Sequence, residues 1–357
     1  MEKMKQCPRC LFTEDVAIIG VKQCNYCDLH DQQTASADPR EWHKLLNKIR
    51  DKDKQYDCLI GISGGEDSSV LLYSAVKVWG LRPLVIHFNN RTNRMIADNN
   101  IKILVDNLNV NFIEFFLDNK EYNDLTDSLL LAGVPDCDIA NDVCMSKLMV
   151  KTALDYNIKY ILNGHSFREE GSSPKAWSVI DYTYLNSIYK TFIGKDLVNY
   201  PLLTIWDQVW SALRGIKKVS PFHYMNHDRA EVIVALKKLG WQDYGGKHNE
   251  NIYTAFVGNY ILPKKFGIDK RRTYLSAQIR ENKITKRDAL KILQTPSYFD
   301  TRDLGEKEKY LLRLVDRAAI KPRSDYKMTN FKAYRPLFWI LVKLGVVPQS
   351  MYNKYCK

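Results

Sequence analysis

Between the apolar run YDCLIGI (56–62) and SSVLLYSAVKVWG (68–80), whose apolar residues recur at helical spacing, lies the stretch GISGGEDSS, residues 61–69. A strand that turns through glycines directly into a helix is the first half of a βαβ unit, and it commits the chain to an α/β architecture. Residues 40–225 keep the alternation. RPLVIHF (82–88), VNFIEFFL (110–117) and KYILNG (159–164) are strand-like, and MIADNNIKILVDNLN (95–109) and CMSKLMVKTALDYN (144–157) have helical spacing. A parallel sheet with right-handed crossovers is expected, and such sheets bind ligands beyond the carboxyl ends of their strands.

The loop at 61–69 falls at that end. The first backbone N–H groups of a helix have no intrahelical partner, and the helix dipole favours an anion there. Gly64 and Gly65 permit φ > 0 and close approach of the backbone to a ligand, and Ser63, Ser68 and Ser69 add hydroxyl donors. A phosphate cradle accounts for this density of donors. A capped turn accounts for one or two of the residues and leaves Asp67 without a cause. The lysine of a Walker loop is absent, which argues against γ-phosphate transfer.

Residues 1–35 read as a separate module. Cys7, Cys10, Cys24 and Cys27 have the spacing C-x2-C-x13-C-x2-C, with too few apolar residues between them to form a core. Four thiolates on two tight knuckles suit tetrahedral zinc, whose binding free energy of roughly 10–16 kcal/mol would fold the module. An iron or redox centre is the other use of such a set. A closed four-sulfur site leaves no open position for substrate, so an architectural role is expected, with His30 an ordinary surface residue. Cys137 and Cys144 in GVPDCDIANDVC are expected as buried thiols or as a reactive pair, and Cys356 is penultimate.

The chain carries a net charge of +12, which favours anionic partners, but its Lys and Arg residues are spread along the whole length. Neither MEKMKQCPRC nor PLFWILVKLGVV, about half a membrane span and interrupted by Lys343, is an apolar stretch long enough for a secretory signal or a span. A cytoplasmic protein with no membrane partner is the expectation. From residue 226 the strand signal stops, and 226–357 reads as mainly helical, including 295–317.

Ser63-Gly64-Gly65-Glu66-Asp67-Ser68-Ser69 resembles the SGGxDS fingerprint of the ATP pyrophosphatase (PP-loop) superfamily, with strand and helix where that family has them. The resemblance implies an adenine nucleotide alpha hydrolase-like domain that cleaves ATP between its α and β phosphates. Ser63 to Ser69 would hold pyrophosphate and Asp67 a Mg²⁺ ion, while Asn89 and Asn90, at the exit of the second strand, would flank the adenosine. NGHS (163–166), with Gly164 and His165, resembles the second ATP-side motif. The Asp that usually follows it is absent, and Glu169 and Glu170 stand nearby.

Two branches of that superfamily fit. tRNA-thiolating enzymes also carry amino-terminal CxxC knuckles, with reactive cysteines beside ATP. The second branch is the N-acetyl sugar amidotransferase family, whose carboxyl-terminal signature GWQDYGGKHNENIYTAFVGNYILPKKFGIDKRRTYLSAQIRENKITKRDA (240–289) resembles closely, as does the lead-in CPRCLFT. This resemblance implies adenylation of the acetamido oxygen of a nucleotide-linked N-acetyl sugar and its replacement by ammonia. The ammonia would come from a separate glutaminase and cyclase pair resembling the subunits of imidazole glycerol phosphate synthase. No glutaminase cysteine-histidine module is visible in the chain, and nucleic acid is not an expected partner. Lys247, His248, Lys264, Lys265, Lys270, Arg271 and Arg272 are the candidate ligands for the phosphates of the sugar nucleotide. Lys147 and Lys151 are candidates for the α-phosphate, and His165, ahead of Glu169 and Glu170, for the proton acceptor.

Overall fold

The structure, a computed structural model, describes residues 4–297 apart from 118–119, 175–176, 178–180 and 226–228. Beyond 297 it describes 299, 305–306, 309–310, 312–313, 325–343, 352–353 and 355–356, so most of the helical expectation for 295–317 lies outside the described residues. Helices α1 (Asn25–Ser36) and α2 (Pro39–Ile49) lead to β1 (Cys58–Gly61), α3 (Glu66–Tyr73), β2 (Pro83–Asn89), α4 (Met95–Leu108) and β3 (Asn111–Phe116). Then follow α5 (Lys120–Leu131), α6 (Ile139–Asp155), β4 (Tyr160–Leu162), α7 (Tyr182–Ile193), α8 (Ile205–Leu213) and β5 (Lys217–Val219). The remainder is helical: α9 (Arg229–Lys238), α10 (Ile252–Phe256, continued as a π-helix through Phe266), α11 (Arg271–Arg280), α12 (Lys286–Gln294) and a last helix, Arg335–Lys343.

The five strands form one parallel sheet in the order β3-β2-β1-β4-β5. β5, Lys-Lys-Val, is the strand that hydropathy does not announce, because two of its three residues are charged. It lies at the sheet edge, where lysines discourage further pairing, and it joins β4 with Tyr160 opposite Lys217 and Leu162 opposite Val219. The chain runs outward from β1 through β2 to β3 and then returns to the other side of β1 as β4. The order therefore reverses between β1 and β4, which is where a crevice opens at the carboxyl ends of the strands.

One core joins residues from distant parts of the chain. Trp42 and Leu46 of α2, Ile60 of β1, Val70 and Leu72 of α3, Val85 of β2 and Leu104 of α4 are buried together with Val232 and Leu236 of α9 and with Trp241. Each such side chain contributes about 1.5–3 kcal/mol by leaving water. The first helix beyond residue 225 thus packs into the core of the sheet, and the segment that follows it is carried to the crevice.

The amino-terminal module docks on the far helices. Leu11 is buried with Leu275, Ile279 and Ala289, its N–H donates to Ser276 Oγ at 3.2 Å, and Lys286 Nζ donates to the Cys7 carbonyl at 2.6 Å. His30 corrects the expectation of a surface residue. It is 4% exposed, with Nε2 2.8 Å from Glu281 Oε1 and its ring edge-on to Phe167.

Candidate active site

A cavity of about 690 Å³ occupies the β1–β4 crevice. Its walls are Gly61 to Ser63 and Gly65 to Ser68 after β1 and Asn163 to His165 after β4, with Asp142, Met145 and Met149 of α6 behind and residues between 243 and 250 in front. Gly64 turns the loop at φ +75°, and a Cβ there would collide with the Ala97 carbonyl, so both the backbone conformation and the space require glycine. A Cβ on Gly164 would stand 2.7 Å from the Asp67 carbonyl, which is how closely the loop after β4 approaches the start of α3.

The loop's donors face acceptors of the protein itself. Glu66 N–H donates to Tyr244 Oη at 3.1 Å, and Ser63 Oγ donates to Glu250 Oε1 at 3.3 Å. The Glu250 carboxylate would lie 2.8 Å from a Cβ on Gly65, and its Oε2 is buried without a hydrogen-bond partner. A carboxylate in this position offers the loop the kind of oxygen a phosphate would offer. Segment 249–252 is held there by the loop after β2: Arg94 N–H donates to the Glu250 carbonyl at 2.8 Å, and Ile252 N–H to the Thr92 carbonyl at 2.7 Å.

Charge is concentrated on Asp67. Arg229 of α9 pairs with Asp67 and, at 2.5 Å, with Glu66, while Lys247 Nζ stands 3.8 Å from Asp67 and is buried with no hydrogen bond. Burial alone would raise the Asp67 pKa. The hydrogen bond from Glu170 and the charges of Lys247 and Arg229 outweigh it and hold the carboxyl well below the usual range. Glu170 moves the other way, raised by burial and by Asp67 against the pull of His165. Burial would lower His165, but its contact with Glu170 and the nearby Asp67 raise it. Asp142, also facing the cavity, is pushed up to about 6 by burial and by Asp138.

The structure brings Ser63, Gly65, Glu66, Asp67, Ser68, Gly164, His165, Glu170, Lys247 and His248 to this cavity, and Gly64 shapes its loop. Ser69 is fully buried one turn into α3, outside the lining. Asn89 bonds Glu114 at 2.7 Å on the outer side of β2, away from the crevice. Asn90 is buried in a network with Thr92, Tyr122, Asn141 and Asn251, where it anchors the 249–252 segment. Lys147 pairs with Asp207 at 2.7 Å and Lys151 with Asp155 at 2.5 Å, and neither lines the cavity.

Glu169 pairs with Lys283. Lys264 lies over the Tyr260 ring, Arg271 forms a fork with Asp269, and neither they nor Lys265, Lys270 or Arg272 reach the lining. Cys137, Cys144 and Cys356 are buried, Cys137 Sγ donating to the Val134 carbonyl at 3.0 Å, and no cysteine lines the cavity. Arg229, Tyr244, Glu250 and Asp142 were not singled out from the sequence. Arg229, Tyr244 and Glu250 act on groups more than 160 residues away, and Asp142 is marked out by its burial beside Asp138, neither of which local spacing reports.

Whether the carboxylates fit Mg²⁺ turns on Asp67 and Glu170, an adjacent hydrogen-bonded pair of hard oxygen donors. They would suit an ion whose remaining ligands are phosphate oxygens, and such an ion would supply charge neutralisation there.

Cys7, Cys10, Cys24 and Cys27 gather their sulfurs within 4.8 Å of one another, a group able to hold a metal ion. The Sγ–Sγ separations are 3.7 Å for Cys10–Cys24, 3.8 Å for Cys24–Cys27 and 3.9 Å for Cys7–Cys27. Four sulfurs about 2.3 Å from one zinc lie about 3.8 Å apart, so the residues fit that ion. An iron-sulfur cluster interposes its own atoms and needs wider sulfur spacing. Buried Arg280 of α11 donates to Cys27 Sγ at 3.3 Å and Cys10 Sγ at 3.4 Å, balancing thiolate charge.

Residues 250–332 match the family model described as LPS biosynthesis protein WbpG-like, C-terminal domain. The chain is 24% identical over 126 residues to the uncharacterized protein MJ1599 of Methanocaldococcus jannaschii, a match that covers 35% of this chain and 44% of that protein. Among solved structures, NMN synthetase from Francisella tularensis aligns with a TM-score of 0.35 and 15% identity over 82% of this chain and 99% of that one. The U34-tRNA thiolase NcsA from Methanococcus maripaludis, with its 4Fe-4S cluster, aligns with a TM-score of 0.35 and 13% identity over 86% and 93%. The α/β assignment rests on the sheet itself, and the family match begins at Glu250, the one matched residue among those described that lines the cavity.

Proposed function

We propose that the protein is the synthase subunit of an ATP-dependent amidotransferase. It converts the acetamido group of a nucleotide-activated N-acetyl sugar to an acetamidino group, in the making of bacterial surface polysaccharide or nonulosonic acid. The observation that carries this reading is one shared cavity: the loop from Ser63 to Ser68 and the segment ending at Glu250, where the WbpG-like match begins, line the same crevice.

An acetamide carbonyl is a poor electrophile, and direct loss of its oxygen is prohibitive. In the proposed reaction the amide oxygen attacks the α-phosphorus of ATP, the α–β bond breaks, and pyrophosphate leaves as the amide nitrogen gives up its proton. Ammonia then adds to the imidate carbon, the carbon–oxygen bond breaks, and AMP departs with the former acetyl oxygen. One further proton leaves the nitrogen.

The roles of the chain's own groups follow from their positions. The N–H and hydroxyl donors of Ser63 to Ser68 hold the departing diphosphate once Glu250 gives way, and Arg229 turns from Asp67 toward the phosphates. His165, in contact with Glu170, takes the released proton, and Glu170 and Asp67, which raise its pKa against burial, favour the protonated ring. Lys247 and His248, the only cavity-lining members of the basic set expected from sequence, serve the sugar nucleotide. The four-cysteine module holds zinc as a structural clamp on α11 and α12.

A thiolation reading needs a reactive cysteine at the nucleotide, and the cavity lining contains none. Incubation with ATP, ammonium chloride and UDP- or CMP-linked acetamido sugars, without RNA, tests the proposal by mass spectrometry. A product in which oxygen is replaced by NH, formed with AMP and pyrophosphate, supports it; turnover only with RNA and a sulfur donor overturns it.

A further inference from the structure

A second cavity, of about 340 Å³, adjoins the first. Gln33 and Ser36 of α1 form its outer wall, Phe167 and His223 its inner one, and Lys218 and Ser220 at the end of β5 line both cavities. His165 on the main side and His223 on the other face each other across the boundary, ring centroids 5.7 Å apart. The smaller space therefore runs from Ser36, exposed on α1, to His223, whose ring touches the His165 ring beside Glu170.

The two linings differ in kind. The main cavity carries Glu66, Asp67, Asp142, Glu170, Asp243 and Glu250, whereas the second has no acidic residue. Its charged group is Lys218, whose pKa burial lowers and no acidic group among the described residues raises. His223 is driven down to about 4 by burial and by the nearby His165 and Arg168, so its ring is neutral at pH 7. Gln33 Oε1 and His223 Nε2 are buried with no hydrogen-bond partner. A small cation meets Lys218 and no carboxylate here, while a small neutral molecule with N–H donors meets the unpartnered Gln33 Oε1, beside a neutral His223 ring whose Nε2 is also without a partner.

Ammonia is such a molecule, and ammonium is the cation to be kept out. With ATP and a sugar nucleotide filling the main cavity, the route from its own mouth is closed. We propose that the second cavity is the inlet through which neutral ammonia reaches the acceptor carbon in the β1–β4 crevice. This rests on the amidotransferase reading above.

The test uses the full chain, with ammonium chloride as the ammonia source and AMP release as readout. Ser36→Trp, which plugs the outer wall, is expected to raise the KM for ammonia at least tenfold, with kcat and the Kd for ATP unchanged and Ser36→Ala like the parent. Gln33→Trp, on the same wall, should give the same shift and serves if Ser36→Trp does not fold. Turnover by the parent with an unaltered ammonia KM in both folded plugs overturns the inlet alone. No turnover by the parent on any acetamido sugar nucleotide overturns the amidotransferase reading, and the inlet with it.

Discussion

Arg229 and Asp67 are 162 residues apart in the chain and meet as an ion pair at the head of α3, with Lys247 approaching the same carboxylate. The pair ties α9, which the sequence assigns to a helical second region, to the loop after β1. Removing the guanidinium leaves Glu66 without its ion pair and Asp67 with Lys247 alone, and takes a cation from the proposed phosphate site. Arg229→Ala is expected to weaken ATP binding at least 30-fold, about 2 kcal/mol, in a calorimetric titration. An unchanged Kd would show that the pair is only structural.

Glu250 presents a carboxylate to Ser63 and crowds Gly65, so it competes with any phosphate for the cradle. Glu250→Gln removes the charge and keeps the shape. ATP binding is expected to tighten about fivefold, about 1 kcal/mol, with the thermal midpoint nearly unchanged. Weaker binding would mean that Glu250 holds the nucleotide's ion or sugar rather than standing in its place.

The cysteine module should carry about one zinc per chain by elemental analysis, since a closed four-thiolate site takes one ion. Chelation is expected to expose residues 4–36 to protease before it abolishes ATP binding, because the cavity draws no residue from the knuckles. Arg280→Met should speed zinc loss to a chromogenic chelator by tenfold or more, as the sulfurs lose two charged donors. A metal-free preparation with the same protease pattern would refute the assignment.

His165 sets a pH dependence. Its pKa in the fold lies above the ordinary 6.5: burial pulls it down, and Glu170 and Asp67 more than offset that. A raised pKa means that the fold prefers the protonated ring. The stabilisation is therefore complete below pH 6.5 and disappears as pH rises through the raised value. His165→Gln should cost thermal stability at pH 5.5 and little at pH 9, measured on both proteins across that range. A deficit that grows with pH would reverse the sign and exclude the Glu170 contact as its source.

What was legible in the sequence was periodic or local. Four strands, the helices α3, α4 and α6, the turn at Gly64 and the paired CxxC knuckles all declare themselves locally, whereas α5, α7 and α8 were not singled out. β5 did not, because Lys217 and Lys218 at a sheet edge look like loop. Lys147 and Arg271 looked like phosphate ligands by charge and spacing, and each is committed to a nearby aspartate, Asp207 and Asp269. His30 sits beside a metal knuckle, and only the docking of α11 explains its burial against Glu281. Arg229, Tyr244 and Glu250 reach the cradle because α9 and Trp241 share the core of β1, a relation that no local pattern encodes.

The central claim is that the acetyl oxygen of the sugar leaves on AMP. A sugar nucleotide labelled with ¹⁸O in its acetamido carbonyl, turned over with ATP and ammonium chloride, puts that claim to a single mass measurement. The account predicts AMP heavier by one ¹⁸O and unlabelled pyrophosphate. Label retained in the sugar, or released to water with unlabelled AMP, would contradict it.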